Sequence, residues 1–160
     1  LGDVYKRQIE HLSEATDLCR SEGVIYALEN EHTTFIGTGK DAARIVRTIG
    51  PKNIRITWET GNAIIAGEKP YPDGYQNIKE YMVHMHAKDV IIDKESGKHR
   101  FVAIGKGQIN YPEQFKALIN DGYNRCVSIE THYKLQNNGE KSTRETLNGI
   151  LKILKTEVPS

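Results

Sequence analysis

Apolar and polar residues change their period several times along this chain. In YMVHMHAKD, residues 81–89, Val83, Met85 and Ala87 alternate with His84, His86 and Lys88, the two-residue period of a β-strand. NIRITWE, residues 53–59, alternates in the same way, and VIYALE (24–29) and CVSIE (126–130) are short apolar runs of strand type. Between these runs the period lengthens. Ile9, Leu12, Ala15 and Cys19 fall near helical spacing over residues 9–22, and Gly23 stops that helix. Thr38 is a candidate cap for a helix through Ile49, with Ala42, Ile45, Val46 and Ile49 on one face and Gly50-Pro51 at its end. Residues 111–120 predict a helix with Pro112 in its first turn. Ser142 or Thr143 is the expected cap of a last helix running to about Lys155. PYPDGYQNIKEY reads as a turn and a short helix, residues 90–110 as a long irregular stretch with a turn at ESGK, and LQNNGEKS as a loop.

The predicted order is a helix followed by four βα units, with no second domain. Such alternation means parallel strands joined by right-handed crossovers. Four units make a small open sheet or half of an eight-stranded barrel, since a complete barrel takes about 250 residues and this chain has 160. The first eight residues, LGDVYKRQ, resemble a translated reading frame of a transposase adapter used in sequencing libraries. Residues 1–8 are therefore expected to be a scar, and residues 9–160 the domain.

Charge and cysteine content narrow the function classes. The net charge is +1 without acidic or basic blocks, which gives no electrostatic reason to expect nucleic acid or a membrane surface as partner. Cys19 and Cys126 are far apart and form no CxxC, so a reduced, cytoplasmic chain is expected. No apolar run approaches the roughly 18 residues of a membrane span.

The candidate chemistry lies at the strand ends. The four runs end in Glu29, in Glu59, in His86 followed by Lys88, and in Glu130. In a parallel α/β sheet these ends share one rim, where sites are built. Three carboxylates there repel one another unless a cation compensates them. Together with one imidazole they suit Mn²⁺, Mg²⁺, Co²⁺ or Zn²⁺. Parity agrees: Arg55 and Thr57 share a face with Glu59, His84 with His86, and Cys126 and Ser128 with Glu130, while Ile54, Ile56, Trp58, Val127 and Ile129 take the other face.

At these residues the chain resembles the xylose isomerase-like TIM barrels, a family of sugar phosphate isomerases and epimerases. LENEH, WETGNA, HMHAKD, GKGQIN and GYNRCVSIETH occur in the family's order and at βα spacing. The resemblance implies an α/β fold, the C-terminal half of a (β/α)8 TIM barrel (strands five to eight with their helices), with strands one to four missing and the chain alone inactive. It implies Glu29, Glu59, His86 and Glu130 as ligands of one divalent ion, Mn²⁺ first and Mg²⁺, Co²⁺ or Zn²⁺ as alternatives. Glu59 departs from the family's Asp at this position. The implied reaction is metal-dependent isomerisation or epimerisation of a sugar or sugar phosphate, by proton transfer through a metal-stabilised enediolate, with Glu29 and Glu130 as the catalytic pair. Asn62, Lys88 and His132 are the implied substrate contacts, Glu31 a further rim residue, and His84 and Asp89 supporting residues around the ligands. The expected partner is a small-molecule sugar or sugar phosphate, with no nucleic acid and no membrane, and a homo-oligomer is compatible with the pattern.

Three alternatives stay open. One is dehydration of an inositol-derived ketone on the same fold. Another is a sugar-binding barrel that has lost catalysis, which Glu59 in place of Asp keeps alive. An endonuclease IV-like reading needs further His and Asp ligands, and FVAIGKGQIN offers no Asp-x-His.

Overall fold

The computed structural model describes residues 2–50 and 53–158; Leu1 of the expected scar and Pro51 of the expected helix stop lie outside them. Helix α1 (Gly2–Ser21) leads into β1 (Tyr26–Glu29) and α2 (Gly39–Ile49). Strand β2 (Ile54–Glu59) is followed by α3 (Thr60–Ile65), an irregular turn over Pro70–Gly74 and α4 (Tyr75–Ile78). Strand β3 (Met82–Ala87) runs into a hairpin of β4 (Asp89–Ile92) and β5 (His99–Val102). Helix α5 (Tyr111–Asn120), β6 (Val127–Ile129) and α6 (Gly139–Glu157) complete the order. Strands β1, β2, β3 and β6 form one parallel sheet in that order, as the alternation predicts.

The helices cover one face of the sheet. Ile54, Ile56, Trp58, Met85 and Ala87 point into that layer and are fully buried, against Ala42, Ile45 and Val46 of α2 and Phe115 and Leu118 of α5. Thr38 caps α2 by accepting the Asp41 N–H at 3.0 Å, and Gly50 ends that helix at a φ of 99°, its N–H on the Val46 carbonyl. A local rule places both ends.

Three elements differ from expectation. Helix α1 starts at Gly2 instead of Ile9, because Tyr5 packs on α2: its hydroxyl lies 3.3 Å from Thr48 Oγ1 and its ring 4.6 Å from the Arg44 guanidinium. The last helix is capped by Asn138, which accepts the Lys141 N–H at 3.0 Å. Ser142 lies inside that helix, its hydroxyl joining Leu135 N–H to the Asn138 carbonyl. The stretch expected to be irregular holds the β4–β5 hairpin, closed by Asp93, whose Oδ1 accepts the Glu95 and Ser96 N–H groups, and by Gly97 at a φ of 68°. Among the described residues no helix is long and apolar enough to cross a membrane.

Candidate active site at the carboxyl rim

Parallel pairing brings the strand ends together with a stagger. Glu29 pairs with Thr57 and Thr57 with His84, whereas Glu59 pairs with His86 and His86 with Ser128. The ring of strand-end residues therefore climbs across the sheet, the stagger that strand tilt produces in barrels. By pairing, Glu29 stands level with His84, yet its side chain reaches the next layer.

Glu29, His86 and Glu130 meet at the rim. His86 Nδ1 lies 3.3 Å from Glu29 Oε1 and 3.8 Å from Glu130 Oε2. One ligand atom from each of the three lies within 4.8 Å of the others. Two carboxylates and an imidazole are a donor set for a divalent cation, so these residues fit the implied metal.

Glu59 is not part of that cluster. Its side chain is fully buried, with Oε1 accepting the Gly61 N–H at 2.9 Å and Oε2 lying 2.7 Å from Lys88 Nζ. Burial pushes its carboxyl up to about 8, against the pull of the Lys88 ammonium. Its backbone is set by Asn30, a fully buried residue whose site role the sequence reading missed. Asn30 Oδ1 accepts the Glu59 N–H at 2.9 Å and Asn30 Nδ2 donates to the Glu59 carbonyl at 2.9 Å.

Lys88, an expected substrate contact, lies between two carboxyl groups of the protein itself. It is buried, and Nζ bridges Glu59 Oε2 at 2.7 Å and Glu130 Oε2 at 3.0 Å. Its charge compensates the protein's own carboxylates. Burial works against the ammonium, but Glu59 and then Glu130 outweigh it and hold its pKa above the ordinary value. Burial likewise opposes ionisation of Glu130, yet hydrogen bonds from His132 and Lys88 bring its carboxyl down to about 2. His132 Nε2 lies 2.9 Å from Glu130 Oε1 and stays open to solvent.

Asn62 and Asp89 are both engaged by contacts within the protein. Asn62 is fully buried: its amide nitrogen donates to the Asn30 carbonyl at 2.8 Å and to Glu31 Oε2 at 3.2 Å, and its oxygen lies 2.8 Å from His32 Nδ1. It ties the start of α3 to the β1–α2 connection. Asp89 binds neither His86 nor Lys88. Its carboxylate accepts the N–H groups of Val90, Gly105, Gly107 and Ile109 at 2.9, 2.9, 2.9 and 3.3 Å, folding GKGQI under the hairpin. His84 Nε2 lies 2.9 Å from Ser128 Oγ. Burial, then the neighbouring His86, hold its imidazole below the ordinary pKa.

The hairpin adds an aromatic arc that the period of residues 90–110 hid. Rings follow one another from His32 to His99, Phe101 and His132 at centroid distances of 5.6, 5.4 and 4.8 Å. Phe101 lies 5.6 Å from Lys88 Nζ.

Residues 2–153 match the sequence pattern of the xylose isomerase-like TIM barrels. The chain belongs to that family. An uncharacterized protein of Methanocaldococcus jannaschii, MJ1311, is 30% identical over 135 residues, 81% of this chain and 44% of that protein. An inosose dehydratase of Lacticaseibacillus casei is 21% identical over 80% of this chain and 47% of its own length. Xylose isomerase-like solved structures include a domain protein of Planctomyces limnophilus (TM-score 0.76, 18% identity, 96% of this chain and 53% of that one). The IOLI protein with a bound zinc atom superposes with a TM-score of 0.76 at 19% identity, over 97% of this chain and 58% of that one. An L-ribulose 3-epimerase gives 0.73 at 17%, over 98% and 56%. The chain spans about half the length of the curated relatives it matches.

Proposed function

We propose that this family member forms strands five to eight of a (β/α)8 barrel that moves a proton beside a carbonyl in a sugar or sugar phosphate, as an isomerase or epimerase. The observation that carries this reading is the approach of Glu29 and Glu130 to His86, at 3.3 and 3.8 Å. These three residues would hold one divalent cation, Mn²⁺ first and Mg²⁺, Co²⁺ or Zn²⁺ as alternatives. When bound, such an ion supplies Lewis-acid polarisation of a carbonyl oxygen. Everything else falls to the chain's side chains. Glu29 and Glu130 come from opposite edges of the sheet, one removing the proton from carbon and the other returning it. His132 and Lys88 keep Glu130 ionised and ready to accept. Four further strands close the barrel and complete the sugar pocket.

The test is solvent exchange. The eight-stranded protein containing this chain, loaded with Mn²⁺, is incubated in heavy water with a panel of ketoses, their phosphates and an inosose. Deuterium is expected at the carbon beside the carbonyl, and is expected to vanish in Glu29→Gln and Glu130→Gln. A metal-loaded protein that exchanges none of the panel would overturn the reading.

Dehydration is the second reading, favoured by the Lacticaseibacillus casei relative named inosose dehydratase. The first proton removal is shared, and a neighbouring hydroxyl then leaves as water. His132, solvent-open and 2.9 Å from Glu130, is the candidate donor to that hydroxyl. An unsaturated product from the inosose, with no epimer, would select dehydration.

A further inference from the structure

Glu59 ends its strand beside the Glu29, His86 and Glu130 cluster, and its carboxylate is held elsewhere. Four features fix it there. Lys88 Nζ lies 2.7 Å from Glu59 Oε2 and continues to Glu130 Oε2 at 3.0 Å. Gly61 makes room for the lysine stem: a Cβ at residue 61 would lie 2.8 Å from Lys88 Cγ. The Tyr111 hydroxyl donates to the Lys88 carbonyl at 2.9 Å and meets Thr60 Oγ1 at 2.9 Å, anchoring the backbone. Phe101 covers the ammonium from the hairpin side.

We propose that Lys88 is a resident cation that holds Glu59 out of metal coordination, so that among the described residues Glu29, His86 and Glu130 are the protein ligands and Glu130 is shared between the metal and Lys88. The inference rests on the metal reading above. Its physical ground is the hold on both carboxyl oxygens: Lys88 Nζ and the Gly61 N–H already engage them in a dry site, and turning Glu59 toward the rim would give up both contacts and leave the buried ammonium to Glu130 alone. The longer arm of Glu compared with Asp lets the carboxylate meet Lys88 while its other oxygen stays on the Gly61 N–H. An ion held by these three residues would leave its remaining positions to substrate oxygens and water. Lys88 is a positioning residue here, acting through the two carboxyl groups it holds.

Co²⁺ binding to the intact chain tests this, read by calorimetry and by the visible absorption spectrum, which reports the ligands on the ion. Glu59→Gln is expected to leave the spectrum unchanged and to weaken binding by no more than the roughly 10–100-fold typical of groups outside the coordination shell. Glu29→Gln is expected to abolish uptake. Lys88→Met frees Glu59, so the spectrum is expected to change and affinity to rise; adding Glu59→Gln to it is expected to restore the original spectrum. If Lys88→Met does not fold, the double variant, which removes both charges, carries the comparison. A spectrum altered by Glu59→Gln alone, or uptake lost in it as in Glu29→Gln, would overturn the inference and leave the metal reading standing. No Co²⁺ uptake by the unmodified chain would overturn the metal reading, and this inference with it.

Discussion

Asp89 and Gly107 are in contact that tolerates no side chain at residue 107. The Gly107 N–H donates to Asp89 Oδ2 at 2.9 Å, and a Cβ there would lie 2.0 Å from Asp89 Oδ1. The same carboxylate takes three more N–H groups, so one side chain joins the end of β3 to the entry of α5. Asp89→Asn presents an N–H to some of these donors and is expected to cost about 2 kcal/mol or more. Gly107→Ala is expected to cost a similar amount through the clash. Chemical denaturation of both variants checks this, and an unchanged midpoint for either would contradict it.

His84 and His86 share a face and are expected to separate in their effects. His86→Ala should abolish divalent-metal uptake and leave the fold, because its imidazole faces Glu29 and Glu130. His84 touches Ser128 at a partly solvated position, so His84→Ala should keep the metal and cost about 1 kcal/mol or less. Calorimetry with Mn²⁺ and thermal melts of the two variants decide it; metal loss in His84→Ala would reverse the assignment.

Glu59 and Glu130 give stability opposite dependences on pH in the metal-stripped chain. Glu59 has its folded pKa raised from 4.5 to about 8. Its contribution is full below pH 4.5 and is lost as pH rises through 8. Glu130 has its folded pKa lowered from 4.5 to about 2. Its contribution is present above pH 4.5 and is lost as pH falls through 2. Melting curves across this range should therefore slope less on the alkaline side in Glu59→Gln and less on the acid side in Glu130→Gln. Identical slopes in wild type and both variants would count against these shifts.

Glu68 caps a helix from far along the chain. Its carboxylate accepts the Gly39 N–H at 2.6 Å and the Lys40 N–H at 3.2 Å, two of the free donors at the start of α2. Glu68→Ala should cost about 1–2 kcal/mol, the range of a lost cap. Urea unfolding that places Glu68→Ala within error of wild type would refute the capping role.

The chain by itself is expected to self-associate. Among the described residues β1 pairs only with β2 and β6 only with β3, leaving two strand edges open. Beside β6, Phe115, Leu118, Tyr123, Leu147 and Leu154 line an apolar groove of about 310 Å³. Sedimentation should show dimers or larger species at micromolar concentration. A monomer with a sharp cooperative melt would mean that four strands suffice.

Local order carried much of the fold. Two-residue alternation marked β2 and β3, Thr38 marked the start of α2, and Pro112 the first turn of α5, because each signal acts within a few residues of itself. The βα alternation called for parallel strands, and parallel strands put Glu29, His86 and Glu130 at one rim whatever the details of packing. The hairpin escaped because β4 and β5 are short and the charged tip between them breaks the alternation.

What the sequence alone determined is therefore which residues reach the rim; what the tertiary structure decided is which of them face one another there. Glu59 and Lys88 both stand at strand ends, and nothing in their spacing says that they pair. That contact depends on the strand stagger, on the space Gly61 leaves, and on the hold of Asn30 on the Glu59 backbone across 29 positions of sequence. Ionic and hydrogen-bonding contacts of this kind are settled over a few ångströms once the sheet has formed, whereas hydrophobic period and capping act along the chain before it does.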